Sequence, residues 1–182
     1  MTGAHLVNGL IEDHEHIEEA LSLLMKAVDL LSKDKISPDV IEELATFLSK
    51  FADQCHHGKE ELILFPLMEK KGVPVWGGPI GVMLCEHGMG RYFLRNLLRA
   101  LKQYKEGQKD VINEIVDYAE SYYRLLLEHI DKENNVLFPM AQEVVGENEG
   151  IEEAERIEAE MNHEEMLRKL DEIKKTIELF NA

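Results

Sequence analysis

The chain has 182 residues, with 20 lysines and arginines against 36 aspartates and glutamates, which gives a formal net charge of −16. This length suits one domain with a substantial core, since a chain of about 150 residues already buries roughly 70% of its unfolded surface. The negative charge disfavours nucleic acid and anionic membrane surfaces as partners, because both would repel it.

Apolar residues recur at spacings of three and four along most of the chain, and no run of β-branched residues alternates strictly. This periodicity predicts an all-α fold with five long helices. The first carries an apolar stripe from Leu10 to Leu31 and ends near Lys33. Ser37 and Pro38 form the N-cap and first turn of the second. The later four helices have these predicted bounds: 37–71, 79–106, 109–145 and 152–179.

Two prolines and one loop interrupt this pattern. Pro66 and Pro139 lie inside helical stretches, where each removes a backbone donor and is expected to bend or end its helix. The segment 72–81, GVPVWGGPIG, concentrates glycine and proline and is predicted to be the longest ordered loop.

The predicted helices suit a single domain over residues 1–182. Four of them, antiparallel in up-down order with short links, would form a four-helix bundle over about residues 5–145, with an additional C-terminal helix at about 152–180. The sequence shows neither a basic leader with an apolar run nor about 18 consecutive apolar residues, so we expect no signal peptide, no membrane span and a cytoplasmic location.

An internal repeat identifies candidate ligands. Residues 55–67 align with residues 128–140 through the shared pattern H-x-x-K-E-x-x-x-L-F-P. A histidine and a glutamate four residues apart project from one face of a helix, so each copy offers an imidazole and a carboxylate together. The repeat selects His56 with Glu60, and His129 with Glu133.

His57 falls outside this pattern. It aligns with Ile130 in the second copy and follows Asp53 and Gln54 on a side of the helix that looks solvated. We therefore interpret His57 as a surface residue, together with His5 and His16.

A weaker repeat joins the first and third helices, where Asp13-His14 and Glu86-His87 each place a histidine on an apolar stripe. The chain thus consists of two helical hairpins, each with one histidine followed by His-x-x-x-Glu. Glutamates meeting in the centre could bridge two metal ions, and buried carboxylates without a cation would be costly. Imidazole and carboxylate without thiolate favour iron or manganese over structural zinc.

These motifs resemble the hemerythrin-like family, also called HHE cation-binding domains, over about residues 5–145. The resemblance implies a non-haem centre of two iron ions bridged by carboxylates and an oxo or hydroxo group; manganese or a mixed pair is the alternative. The ligands that it implies are His14, His56, Glu60, His87, His129 and Glu133.

The sequence departs from the family pattern in the third and fourth helices. Arg91 stands four residues after His87, where hemerythrins usually have another histidine, and Asn134 stands where they have an aspartate. We expect His163, on the last helix, to supply the missing fifth imidazole. Five imidazoles, two bridging carboxylates and a bridging oxygen would leave one open position between two six-coordinate ions.

Three functions are compatible with such a centre. The first is a protein that binds or senses dioxygen at the open position. The alternative is a redox enzyme that acts on peroxide, nitric oxide or ferrous iron, with Arg91 placed to stabilise a bound anion. The third is an iron store or signalling module with a separate protein partner, which the sequence does not identify.

Overall fold

The computed structural model describes residues 6–180, and in this part of the chain every regular element is helical. The predicted all-α class is confirmed. The α-helices are α1 (Leu6–Ser32), α2 (Pro38–Leu48), α3 (Phe65–Lys70), α4 (Pro79–Lys105), α5 (Ile112–Lys132), α6 (Phe138–Val144), α7 (Ile151–Met161) and α8 (His163–Glu178). Other helical segments join some of them: π-helical segments at Ser49–His57, Glu60–Leu64 and Glu133–Leu137, and a 3-10 turn at Lys109–Val111.

Neither proline interrupts its helix. A π-helical segment precedes each one, Glu60–Leu64 before Pro66 and Glu133–Leu137 before Pro139, and α-helix resumes at the phenylalanine between. Proline has no N–H to donate, and its ring clashes with the carbonyl four residues earlier. The wider π turn accommodates both defects, and such turns are frequent at functional sites.

The long helices form a closed set of contacts. Helix α1 packs against α2 and α5, and α4 packs against the same two helices. There are two clusters of buried apolar residues, and each long helix with its continuation contributes to both of them. Between its two apolar stretches each one carries buried polar residues. A polar layer therefore lies between two hydrophobic cores.

The predicted fifth helix is wrong as a single element, because it divides into α7 and α8 at Asn162. Asn162 has a φ of 54°, in the left-handed region, which asparagine tolerates better than most residues. Helix α8 packs on α1 and α2 through Met166, Leu170, Ile173 and Ile177, which are buried at spacings of three and four. Among the described helices, none is both long and apolar enough to cross a membrane.

Candidate metal centre

The polar layer contains charged and ionisable residues that are at most 3% exposed. Such groups are rarely buried unless they are paired or bind a metal. The buried set comprises Asp13, His14, His56, His57, Lys59, Glu60, His87, His129 and Glu133.

The first group of ligand atoms belongs to His57, Glu60, His87 and His129, which come within 4.8 Å of one another. The His57 and His87 rings are stacked, with their centroids 3.8 Å apart. His87 Nε2 lies 3.3 Å from Glu60 Oε2. Helices α4 and α5 and the π-helical part of the second long helix thus each contribute to this group.

The second group belongs to His14, His56 and Glu133. The Nε2 atoms of His14 and His56 are 3.1 Å apart, and His14 Nε2 lies 3.1 Å from Glu133 Oε2. Distances of about 3 Å between donor atoms match the edge of an octahedron with ligand bonds of about 2.1 Å. Two imidazoles and a carboxylate oxygen therefore stand at the spacing that one metal ion would require.

Both glutamates reach across from one group to the other. Glu133 places Oε2 beside His14 and Oε1 3.1 Å from Nε2 of His129. Glu60 Oε2 lies 3.3 Å from Nε2 of His87 and 3.9 Å from Nε2 of His56. This arrangement suits carboxylates that bridge two ions.

Several inward-facing atoms have no hydrogen-bond partner among the described residues. They are both ring nitrogens of His57, both carboxylate oxygens of Glu60, Nε2 of His87 and of His129, and Oε1 of Glu133. A buried polar atom without a partner costs roughly 1–3 kcal/mol, so this many would be a large burden on stability. A pair of cations could bind one ring nitrogen of each of these histidines together with the carboxylate oxygens, and the residues present therefore fit a two-metal centre.

The prediction that His57 is a surface residue is wrong. Its side chain is only 3% exposed, and it faces His87 across the first group. His57 ends the π-helical segment Ser49–His57, and a π turn contains more residues than an α turn. The α-helical spacing that assigned His57 to the wet side does not apply there, and neighbouring His56 and His57 both face inward.

Each of the other four imidazoles is held through its outer nitrogen, Nδ1. Outer partners of this kind fix the orientation and tautomer of a metal ligand. The Nδ1 pairs are His14 with Asn134 Oδ1 at 2.9 Å, His56 with Asp13 Oδ2 at 3.1 Å, His87 with Glu61 Oε1 at 2.7 Å, and His129 with Glu86 Oε2 at 3.0 Å. For His57 the corresponding carboxylate is Asp53, whose Oδ1 lies 3.5 Å from Nδ1.

The lysine of the internal repeat forms an ion pair with an outer carboxylate in each half of the molecule. Lys59 places its ammonium 2.7 Å from Oδ2 of Asp13, and Lys132 pairs in the same way with Oε1 of Glu86. In both halves the carboxylate precedes its histidine by 43 residues. The lysine of H-x-x-K-E therefore neutralises the carboxylate that orients the histidine of the same motif.

The environment determines the protonation of the imidazoles. Burial lowers the pKa of His57 well below its usual value, and the neighbouring His87 and His129 lower it further. Burial opposes protonation of His129 as well, but the negative charge of Glu133 and the hydrogen bond to Glu86 raise the pKa of His129 to about 10. In the absence of a cation, a proton at His129 thus compensates the carboxylate, and metal binding would displace it.

The structure brings six of the seven predicted ligands together and places His163 elsewhere. His163 Nε2 lies 3.0 Å from Oδ1 of Asp13, outside both groups, because α8 begins beside α1 rather than within the polar layer. The fifth imidazole that faces these groups is that of His57. His5 lies outside the described residues, and His16 is partly buried with its ring edge against Phe51.

The guanidinium of Arg91 is bound by two carboxylates. Its Nε lies 2.6 Å from Asp53 Oδ1, and its Nη2 lies 2.6 Å from Glu61 Oε1. These are the carboxylates next to His57 and His87. Arg91 therefore supports the outer partners of the group with three imidazoles, a role that the sequence alone did not indicate.

Comparison with known proteins agrees with this geometry. The sequence matches the family model described as "Hemerythrin HHE cation binding domain" over residues 5–141. Similar curated proteins, each named "Iron-sulfur cluster repair protein YtfE", come from Escherichia coli O1:K1 / APEC at 29% identity, Citrobacter koseri at 30% and Escherichia fergusonii at 29%, over 137 residues in each case. The matches cover 69% of this chain, which spans 59% of the length of these relatives. Since the family model covers most of the sequence, the chain belongs to the hemerythrin HHE cation-binding domain family.

Proposed function

We propose that this protein is an antiparallel, up-down four-helix bundle that holds two iron ions and uses them in redox chemistry. The observation that carries the proposal is the pair of adjacent imidazole groups joined by Glu60 and Glu133, in which several buried nitrogen and oxygen atoms have no hydrogen-bond partner among the described residues. Iron would supply one-electron redox chemistry at this position. The surrounding chain positions the ligands and keeps the centre within a buried layer.

The donor set supports iron. Five imidazoles and two carboxylates, without a thiolate, suit the octahedral preference of iron or manganese and disfavour tetrahedral structural zinc. The only described buried cysteine is Cys55, and burial raises the pKa of its thiol to about 11, which keeps it protonated at neutral pH. Manganese remains the competing metal, and an oxo or hydroxo bridge belongs to the proposal.

The two metal positions are unequal. One has three imidazoles, from His57, His87 and His129, whereas the other has two, from His14 and His56. If Glu60 and Glu133 held both ions together with a shared oxygen, the ion held by His14 and His56 would have one protein ligand fewer than the other and could accept a further ligand. A small ligand, such as peroxide or nitric oxide, would bind there.

Redox chemistry is preferred over dioxygen binding as the role of this centre. The relatives are named as iron-sulfur cluster repair proteins, a name that implies handling of iron rather than carriage of oxygen. We infer that this chain acts in the same kind of process, in which ferrous iron or reducing equivalents reach a damaged cluster. Dioxygen binding or sensing is the second candidate, favoured by the open position.

The test uses a purified iron-sulfur protein whose cluster has been degraded by peroxide. The iron-loaded chain is added anaerobically with excess sulfide and a chemical reductant, and recovery of the cluster absorbance is followed. We expect faster recovery than with the same amount of free ferrous salt. The Glu133→Ala variant is the control, because loss of the carboxylate between the two groups removes bound iron while most of the chain stays unchanged.

Two results would contradict this proposal. If the iron-loaded chain gave no more recovery than ferrous salt, cluster repair would be excluded under these conditions. A reversible absorption band on cycling between oxygen and argon, without any recovery of the cluster, would favour dioxygen binding instead.

A further inference from the structure

A chain of two hydrogen bonds connects the C-terminal helix pair to one of the candidate ligands. His163 Nε2 lies 3.0 Å from Oδ1 of Asp13, and the other oxygen of Asp13 lies 3.1 Å from Nδ1 of His56. The side chain of Asp13 is 4% exposed, and that of His163 is 20% exposed. Asp13 is thus held from both sides, by the candidate ligand and by the helix that covers it.

His163 is fixed in this position by its surroundings. It is the first residue of α8, directly after the left-handed Asn162, and α8 is anchored by the buried side chains between Met166 and Ile177. The ring of His163 also packs on buried Phe51, with centroids 4.8 Å apart. The contact with Asp13 therefore belongs to a packed part of the molecule rather than to a free surface side chain.

The equivalent position in the other half of the molecule lacks such a contact. Glu86 holds His129 as Asp13 holds His56, and Lys132 pairs with Glu86 as Lys59 pairs with Asp13. Among the described residues, no third side chain donates to Glu86. His163 therefore distinguishes the two halves of an otherwise repeated arrangement.

The same side chains could be read as a third metal site, because ligand atoms of Asp13, Glu158 and His163 lie within 4.8 Å of one another. Lys59 argues against this reading. Its ammonium lies 2.7 Å from Asp13 Oδ2 and 2.6 Å from Glu158 Oε1, and its side chain is 1% exposed. The lysine already supplies the positive charge that these carboxylates require.

We propose that His163 is a positioning residue for the metal ion held by His14, His56 and Glu133, and that it acts through Asp13. This inference rests on the proposed two-metal function. Without His163, Oδ1 of Asp13 loses its partner, so the carboxylate can turn away from His56 and the imidazole becomes less firmly oriented. Loss of an outer partner typically weakens metal affinity about 10–100-fold, and we expect about 10-fold for a residue one contact further out.

The test is a competition between the protein and a chelator for ferrous iron alone, under anaerobic conditions. Wild type should release two equivalents of iron. In His163→Leu and His163→Asn, one equivalent should be released at about tenfold lower chelator concentration, while the other is unchanged. His163→Gln should stay close to wild type, because its amide N–H can reach Asp13, whereas the shorter asparagine cannot.

Glu164→Gln provides the matched control, since Glu164 is an exposed neighbour on the same helix, and the side chains paired with Asp13 are those of His56, Lys59 and His163. Circular dichroism verifies that each variant keeps its helix content. If His163→Leu unfolds, His163→Asn provides the test instead, because a polar side chain is tolerated at this partly exposed position. Equal shifts of both equivalents, or no shift in either, would overturn the inference. Loss of a third equivalent would overturn it in favour of a metal site at Asp13. Failure of wild type to bind two ions would instead contradict the proposed function.

Discussion

Replacing His57 with isoleucine should weaken metal binding and yet stabilise the metal-free protein. Both ring nitrogens of His57 are buried without a partner among the described residues. Removing a buried unsatisfied polar group relieves roughly 1–3 kcal/mol. The second half of the molecule already carries Ile130 at the aligned position, where it is 2% exposed within the core, so isoleucine has a precedent there.

The expected change is large enough to measure. For a chain of this size, 1 kcal/mol corresponds to about 2–4 °C in Tm. Differential scanning calorimetry in the presence of a chelator should therefore show a higher Tm for His57→Ile than for wild type. Elemental analysis after anaerobic iron loading should show less bound iron per chain than in wild type, because this group is reduced from three imidazoles to two.

The control for this experiment is His16→Leu. His16 is partly buried and lies outside both ligand groups, so its replacement should leave the iron content unchanged. Two results together would refute the reasoning: the metal-free His57→Ile variant melts below metal-free wild type, and the iron-loaded variant binds as much iron as wild type. In that case His57 would contribute packing rather than metal binding.

Three other perturbations test different parts of the site. Glu133→Ala should remove both ions, because its two oxygens contact one imidazole from each group, and elemental analysis measures this directly. Removing metal from wild type with a chelator should lower the free energy of unfolding by at least about 2.7 kcal/mol if iron was present at 100 times its Kd, and calorimetry before and after chelation checks this. Lys59→Met should destabilise the protein by roughly 3–5 kcal/mol because it leaves Asp13 and Glu158 without their buried cation. Lys132→Met, at a site whose lysine is 37% exposed, should cost less than about 1 kcal/mol. Urea titration of both variants measures these losses of unfolding free energy, and equal losses would contradict the different burial of the two lysines.

The sequence predicted the parts of the site that lie within the internal repeat. The alignment of residues 55–67 with residues 128–140 selected the His–Glu pairs of both halves, and the structure brings these residues together. The repeat is informative because the two halves of a pseudo-symmetric centre require the same residue types at the same spacing. Apolar periodicity likewise predicted the all-α class and the bounds of α4 to within one residue.

Features that occur in only one half of the molecule were not predicted from the sequence. His57 has no counterpart in the second half, where Ile130 stands, and its inward direction depends on a π-helical segment that α-helical spacing cannot represent. One signal was available: the histidine next to His56 would complete the set of five imidazoles without the distant His163. The break at Asn162 was also missed, because the apolar stripe continues on both sides of it.

The outer partners illustrate a different limit. Asp13 and Glu86 were noticed as residues that precede a candidate ligand, but each one holds the histidine of the following helix rather than its own neighbour. Contacts between helices depend on how the helices pack, which the pattern of a single helix does not specify. The repeated lysine had the same hidden role, since it pairs with a carboxylate on another helix.

Anaerobic titration of the metal-free protein with ferrous iron, followed by equilibrium dialysis and elemental analysis, would test the two-metal centre most directly. Two ligand groups joined by Glu60 and Glu133 predict saturation at two irons per chain in wild type and loss of both in Glu133→Ala. Saturation at one iron, or binding that is unchanged in Glu133→Ala, would contradict a carboxylate-bridged pair.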